Sequence, residues 1–354
     1  MLARIMITGY NDLSTEQKQA AIQRLTALWA FTESGLGGIM HALQIPFTGL
    51  VVGGMAVIII CLIADLSKHQ LKQVLKSALV VLIVKAMVSP HTPFPAYIAV
   101  SFQALLGYLL FSFLPVNFFS ILLLSSIAML ESALQKLLVL TLLFGKSFWR
   151  AMDEMLAFIA KQFGIAATNG SQWIVISYLL IYITGGVFIA WIAWKTIRGF
   201  FANKGIPVLD TALIDQHADL PVAQKKKRSV YRKLWVLILV LIELSVVLYV
   251  FAADSKQGWL AVVRTVSWTL AAILGWYMIV SPLFTKLIQK LLQQKQSRYS
   301  DEVLKTLSFL PLMRRIAGIA WQQSRNLSGP ARWQFFFTAL IHWSLTATDI
   351  PEKR

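Results

Sequence analysis

An all-α, polytopic membrane fold of about eight transmembrane helices is what this sequence predicts. Three observations carry that expectation. The composition is 57% hydrophobic and only 14% charged, and the mean hydropathy of +0.65 is too high for a soluble domain. The apolar residues gather in runs that approach the roughly 20 residues needed to cross a bilayer as a helix. Those runs are continuous rather than alternating, which argues against a membrane β-barrel.

Taken in order, the first span covers 21–43 and is the weakest, because it carries Arg24, Glu33 and several glycines. Stronger runs follow at 47–66, 74–90, 94–114, 117–144 and 172–195. A polar stretch, 199–232, then separates these six from two more runs at 234–252 and 259–284. A last apolar run, 333–347, is short enough to be interfacial, re-entrant or a brief span. The N-terminal MLARIMITGYNDLSTEQKQ lacks the long apolar core and small-residue cleavage site of a signal peptide. Cys61 is the single cysteine, so neither a disulfide nor a cysteine metal site can form within the chain.

The formal net charge is +17. In a chain this apolar the excess reads as topology rather than as a nucleic-acid surface, since Lys and Arg collect in cytoplasmic loops. With the N-terminus inside, the cytoplasmic segments hold Lys68, Lys72 and Lys76, then the basic residues from Lys195 to Lys233, then those from Lys286 onward. The outer turns 44–48 and 89–95 hold no Lys or Arg, and 253–258 holds one. The outer loop 145–171 offsets Lys146, Arg150 and Lys161 with Asp153 and Glu154. The run KKKR at 225–228 reads as a juxtamembrane anchor on anionic lipid.

These patterns divide the chain into a six-span domain at 1–198, a cytoplasmic basic linker at 199–232, and a C-terminal part at 233–354. The C-terminal part joins two spans to basic amphipathic helices. Leu287, Leu291 and Leu292 fit one helix face, as do Val303, Leu304, Leu307 and Leu310, with Pro311 and Gly329-Pro330 as punctuation.

Ionisable residues at membrane depth are costly and therefore functional candidates. Glu33 and His41 lie eight residues apart on the first span, Lys85 ends the third, and His91 follows it. Glu131 and Gln135 are neighbours on the fifth, with Lys136 pointing elsewhere. Each also has a purely structural reading. Glu33 and Lys85 can neutralise each other, His41 can bond at a helix end, and His91 can sit in a wet loop. Glu243, on the seventh span, reads as an anchor.

GGIMHALQIPFTGLVVGG, 37–54, packs five glycines and Pro46 around the first outer turn. Pro46 forbids a straight helix there and Gly49 frees the backbone, so 44–49 reads as a tight hairpin with Gln44 and Thr48 facing outward. SPHTPFP, 89–95, makes a second turn on the same side. Two polar turns above Glu33, His41 and Lys85 would enclose a small-molecule pocket, with Gln103 and Trp173 as further outer-side candidates. The same segment also reads as a hairpin with no ligand.

No catalytic motif accompanies these residues: there is no G-x-S-x-G, P-loop, H-E-x-x-H or aspartate cluster for diphosphate chemistry. Five histidines without H-x-x-x-H spacing give no transition-metal site, and no cofactor is implied.

The glycine-rich first span and its IPFTG turn bear a likeness to a known family. Residues 20–198 resemble the substrate-binding S component of energy-coupling factor (ECF) transporters. The resemblance rests on Ala27, Ala30, Ser34, Gly37 and Gly38 in the first helix and on Pro46, Thr48 and Gly49 in the turn. It implies a six-helix bundle in a bacterial cytoplasmic membrane that captures a vitamin-like micronutrient at its outer face. It also implies that the first helix docks on a scaffold subunit and that ABC-type ATPase subunits drive uptake. Residues 233–354 are similar to part of that scaffold: LMRRIAGIA, 312–320, places Arg314 and Arg315 before Ala317 and Gly318, though not in the family's Ala-Arg-Gly order.

The expected function is thus a non-enzymatic transport protein in contact with lipid, a small ligand and those subunits. Glu33, His41, Gln44, Thr48, Gly49, Lys85, His91, Gln103 and Trp173 would bind or gate. The alternatives are a membrane protein or enzyme handling lipid or isoprenoid headgroups, and a non-catalytic membrane scaffold.

Overall fold

The structure, a computed structural model, describes residues 14–42, 47–67, 70–89, 92, 94–162, 170–200, 275 and 281–346. Among the described residues every regular element is helical. The expected run at 234–252, most of the run at 259–284 and most of the linker at 199–232 lie outside them.

Helix α1 (Thr15–Phe31) opens on the capping box of STEQ: the Gln17 amide donates to Ser14 Oγ and the Ser14 amide to Gln17 Oε1. It continues through a π turn (Thr32–Leu36) into α2 (Gly37–Ala42). Then come α3 (Thr48–Leu66), α4 (Lys72–Val88), α5 (Phe94–Phe113), α6 (Phe118–Gln162) and α7 (Gly170–Phe200). Three C-terminal helices follow: α8 (Ser281–Gln296), α9 (Ser300–Gln323) and α10 (Gly329–Thr346).

Four helices are long and apolar enough to cross a membrane: Thr48–Leu66, Phe94–Phe113, Phe118–Leu142 and Gly170–Arg198. They match the expected runs at 47–66, 94–114, 117–144 and 172–195. The other two of the first six fall short. α1 and α4 each have 17 residues, and α4 carries Lys72, Lys76 and Lys85.

The chain forms two compact units. The larger comprises Met1–Leu137, Gln172–Ala218 and Thr285–Arg354, and the smaller Leu138–Ser171 and Asp219–Phe284. In the larger unit α1 is enclosed. Leu25, Ala27, Leu28, Trp29 and Ala30 are fully buried, and α3, α4, α9 and α10 pack against the helix. α3 and α7 approach closely at Gly54, where a β-carbon would lie 2.6 Å from Ile189 Cδ1.

The C-terminal helices belong to this core. Arg24 donates from Nη1 to the carbonyl of Leu345 at 3.3 Å and stands 5.7 Å over the Phe309 ring. Lys76 and Glu302 pair at 2.6 Å. The run expected at 333–347 is an interior helix, with Phe336, Phe337 and 339–345 buried within the chain. Pro311 does not punctuate: α9 runs through it. The proline forfeits one backbone bond, while Val303, Thr306, Met313 and Ile316 on either side hold the helix by burial.

The smaller unit corrects a second expectation. Much of the supposed loop at 145–171 is helix, because α6 resumes after Gly145 and runs to Gln162. The break is local: Gly145 takes φ 66°, ψ −164°, which a side chain would disfavour.

Candidate functional site

Two polar clusters sit inside the larger unit. The first is an ion pair. The π turn places Glu33 where its Oε2 accepts from Lys85 Nζ at 2.7 Å, with the two side chains only 6% and 3% exposed. Lys85 also donates to the Ala96 carbonyl at 3.4 Å and lies 5.8 Å from the centre of the Tyr97 ring. Each charge is thus compensated internally, which a buried carboxylate and a buried ammonium both require.

The second cluster lies among α3, α5, α6 and α7. Gln103, on α5, is 1% exposed. Gly53 on α3 makes room for it: a β-carbon there would come 2.9 Å from Gln103 Nε2 and 3.2 Å from Met129 Cε. One turn earlier, a β-carbon on Gly49 would meet Ser132 Cβ at 3.4 Å and the Tyr182 hydroxyl at 3.9 Å. The rings of Tyr178 and Tyr182 lie 4.9 Å apart, and Phe47 stands 6.0 Å from Tyr182. Phe47 holds φ 60°, a conformation rare for a side chain of its size, at the N-cap of α3.

This second cluster is short of hydrogen bonds. Gln103 Oε1 is buried with no partner among the described residues. The hydroxyls of Tyr178 and Tyr182 are buried beside each other and bond no further described residue. Buried polar atoms are almost always satisfied, and leaving one unmade costs about 1–3 kcal/mol. Such a set of open acceptors and hydroxyls is what a small polar ligand or ordered water would complete.

No family model, curated protein or solved structure matches this chain.

The sequence candidates separate on this geometry. Glu33 and Lys85 come together, and Gly49 and Gln103 both border the second cluster. Thr48 is buried at the first residue of α3. Trp173 is 68% exposed in the first turn of α7. Gln44 and His91 lie outside the described residues, and His41 enters only through the backbone of α2. Ala27 and Ala30 are fully buried against the chain's own helices, with Ser34 and Gly37 also buried and Gly38 half-buried. Arg314 and Arg315 are half-buried on α9. Tyr178, Tyr182 and Ser132 escaped sequence reasoning. Their signal was the i,i+4 tyrosine pair in SYLLIYITGG, which reads equally well as interfacial or packing aromatics.

Among the described residues no three His, Cys, Asp or Glu side chains gather as metal ligands. The groups assembled at the second cluster are amide, hydroxyl and aromatic face.

Proposed function

We propose that this is a multi-pass membrane protein that captures a small, neutral, polar molecule within its helical bundle for uptake. The open hydrogen-bonding groups around Gln103 carry the reading: the amide oxygen of a residue only 1% exposed has no partner among the described residues, on a side chain whose Nε2 lies against Gly53. Neutrality follows from Glu33 and Lys85. Their charges compensate each other at 2.7 Å, so neither is free to select a charged ligand.

The resemblance to ECF S components supports a vitamin-sized ligand and an outward-facing entrance beside Phe47. It also supports ATPase subunits as partners, with Arg314 and Arg315 as the coupling candidates. A bacterial cytoplasmic membrane with the N-terminus inside accords with the loop charges.

A thermal-shift screen of the purified protein against neutral, hydroxyl- and amide-bearing micronutrients tests this reading. A hit should raise the melting temperature as binding to the folded state demands, and the rise should vanish in Gln103→Leu. A hit retained in full by Gln103→Leu would remove the site from the proposal.

A further inference from the structure

The stretch KSFWRAMDEMLAFIAKQ, 146–162, follows the break at Gly145 and sorts its residues by face. Met155, Phe158 and Ile159 fall on one side at helical spacing and are 49%, 64% and 44% exposed. Lys146, Arg150, Glu154 and Lys161 fall on another. A third side packs: a β-carbon on Gly170 would come 2.8 Å from Leu156 Cβ.

Two hydrogen bonds fix where this helix sits. Trp149 Nε1 donates to Thr141 Oγ1 at 3.1 Å, in the last turn of the membrane-length run Phe118–Leu142. Asp153 Oδ1 accepts from the Ser171 amide at 2.7 Å, in the first turn of the membrane-length run Gly170–Arg198. That bond holds the Asp153 carboxyl below its ordinary range, so it is ionised at neutral pH. Consecutive spans leave and re-enter a bilayer on the same side. A helix bonded to the end of one and the start of the next is therefore held at the level of that surface. Phe144, Phe148 and Trp149 pack in succession, with centroids 5.7 and 5.1 Å apart, and Trp is a residue enriched at the headgroup level.

We infer that 146–162 is an interfacial helix that lays Met155, Phe158 and Ile159 into the lipid surface while its charged side meets headgroups and water. The occupant is lipid because the helix lies in the chain between two membrane-length helices, and because the charged side is separate from the apolar one and rich in Lys and Arg. The inference rests on reading the chain as a membrane protein. It adds a surface anchor that no apolar-run count would find.

The test uses the full chain in vesicles of phosphatidylcholine and phosphatidylglycerol, with an environment-sensitive fluorophore on single cysteines at Phe158→Cys, Glu154→Cys and Leu180→Cys. Cys61 is buried and leaves the background unlabelled. The label at 158 should be blue-shifted and quenched by shallow doxyl-lipid, about 5–10 Å into the headgroup–acyl boundary, while the label at 154 is quenched by iodide from water. Equal iodide quenching at 158 and 154 overturns the inference. So does shielding of 158 from both quenchers, which would place a protein partner or a second copy on that side. Leu180, 54% exposed on α7, separates the two readings. Lipid quenching at 180 with an aqueous 158 sinks the interfacial helix alone, whereas water at both sites sinks the membrane reading beneath it.

Discussion

Glu33 and Lys85 belong to different helices and have no sequence motif in common, yet each is the only described charge within reach of the other's 2.7 Å contact. Removing one partner strands the other. Lys85→Met is expected to destabilise the protein by about 3–5 kcal/mol, and the double variant Glu33→Gln/Lys85→Met to recover most of it. Thermal unfolding in mild detergent measures both. Gln103 predicts the opposite sign. Its amide oxygen has no described partner, so Gln103→Leu should leave stability unchanged or raise it by up to about 1–3 kcal/mol while ligand binding is lost. A melting curve paired with a binding assay checks this, and a variant that loses both equally would make Gln103 a structural residue. The pairing of Glu33 with Lys85 was legible in the sequence because buried charges have few ways to be satisfied. The tyrosine pair was not, because an aromatic on an apolar helix announces packing first.

The helices followed hydropathy where the apolar run is long and continuous, as at Thr48–Leu66 and Phe94–Phe113. They departed from it where local chemistry and tertiary packing compete. Pro311 and Gly145 illustrate the two directions. A proline that read as a stop is carried through by buried neighbours, and a glycine inside a supposed loop edge is a hinge between two helical stretches. α10 supplies a pH test. Burial pushes the His342 imidazole below its ordinary pKa, so below about pH 6.5 the unfolded chain binds more protons than the folded one. Stability should therefore fall as pH drops from 7 toward 5, and His342→Gln should flatten that part of the profile. The comparison of variant with wild type isolates this residue from the other histidines. Glu302 works lower on the scale. Lys76 holds its carboxyl below the usual range, so its contribution is lost only as pH falls through that depressed value. At 40% and 38% side-chain exposure the pair is worth at most about 1 kcal/mol.

At the scale of the whole molecule, α1 decides what the chain can do without. α9 and α10 pack against it together with α3 and α4, and Arg24 ties it to the end of α10 through the Leu345 carbonyl. Deleting 300–346 is expected to expose the side of α1 that these helices cover. The result should be a protein that aggregates on size-exclusion chromatography rather than a smaller soluble-in-detergent bundle. A monodisperse truncation would show that 1–299 stands alone. A sequence read by runs could not anticipate this arrangement, because α9 carries Lys305, Arg314 and Arg315 and passes for a surface helix, although Val303, Thr306, Met313, Ile316 and Ile319 are buried. Native mass spectrometry of the detergent-purified protein tests the central claim most directly, since it detects a bound molecule whatever its identity. The account predicts an added mass of one small polar molecule on the wild type that is absent from an equally folded Gln103→Leu variant. Identical spectra for the two proteins, or lipid as the sole adduct on both, would contradict it.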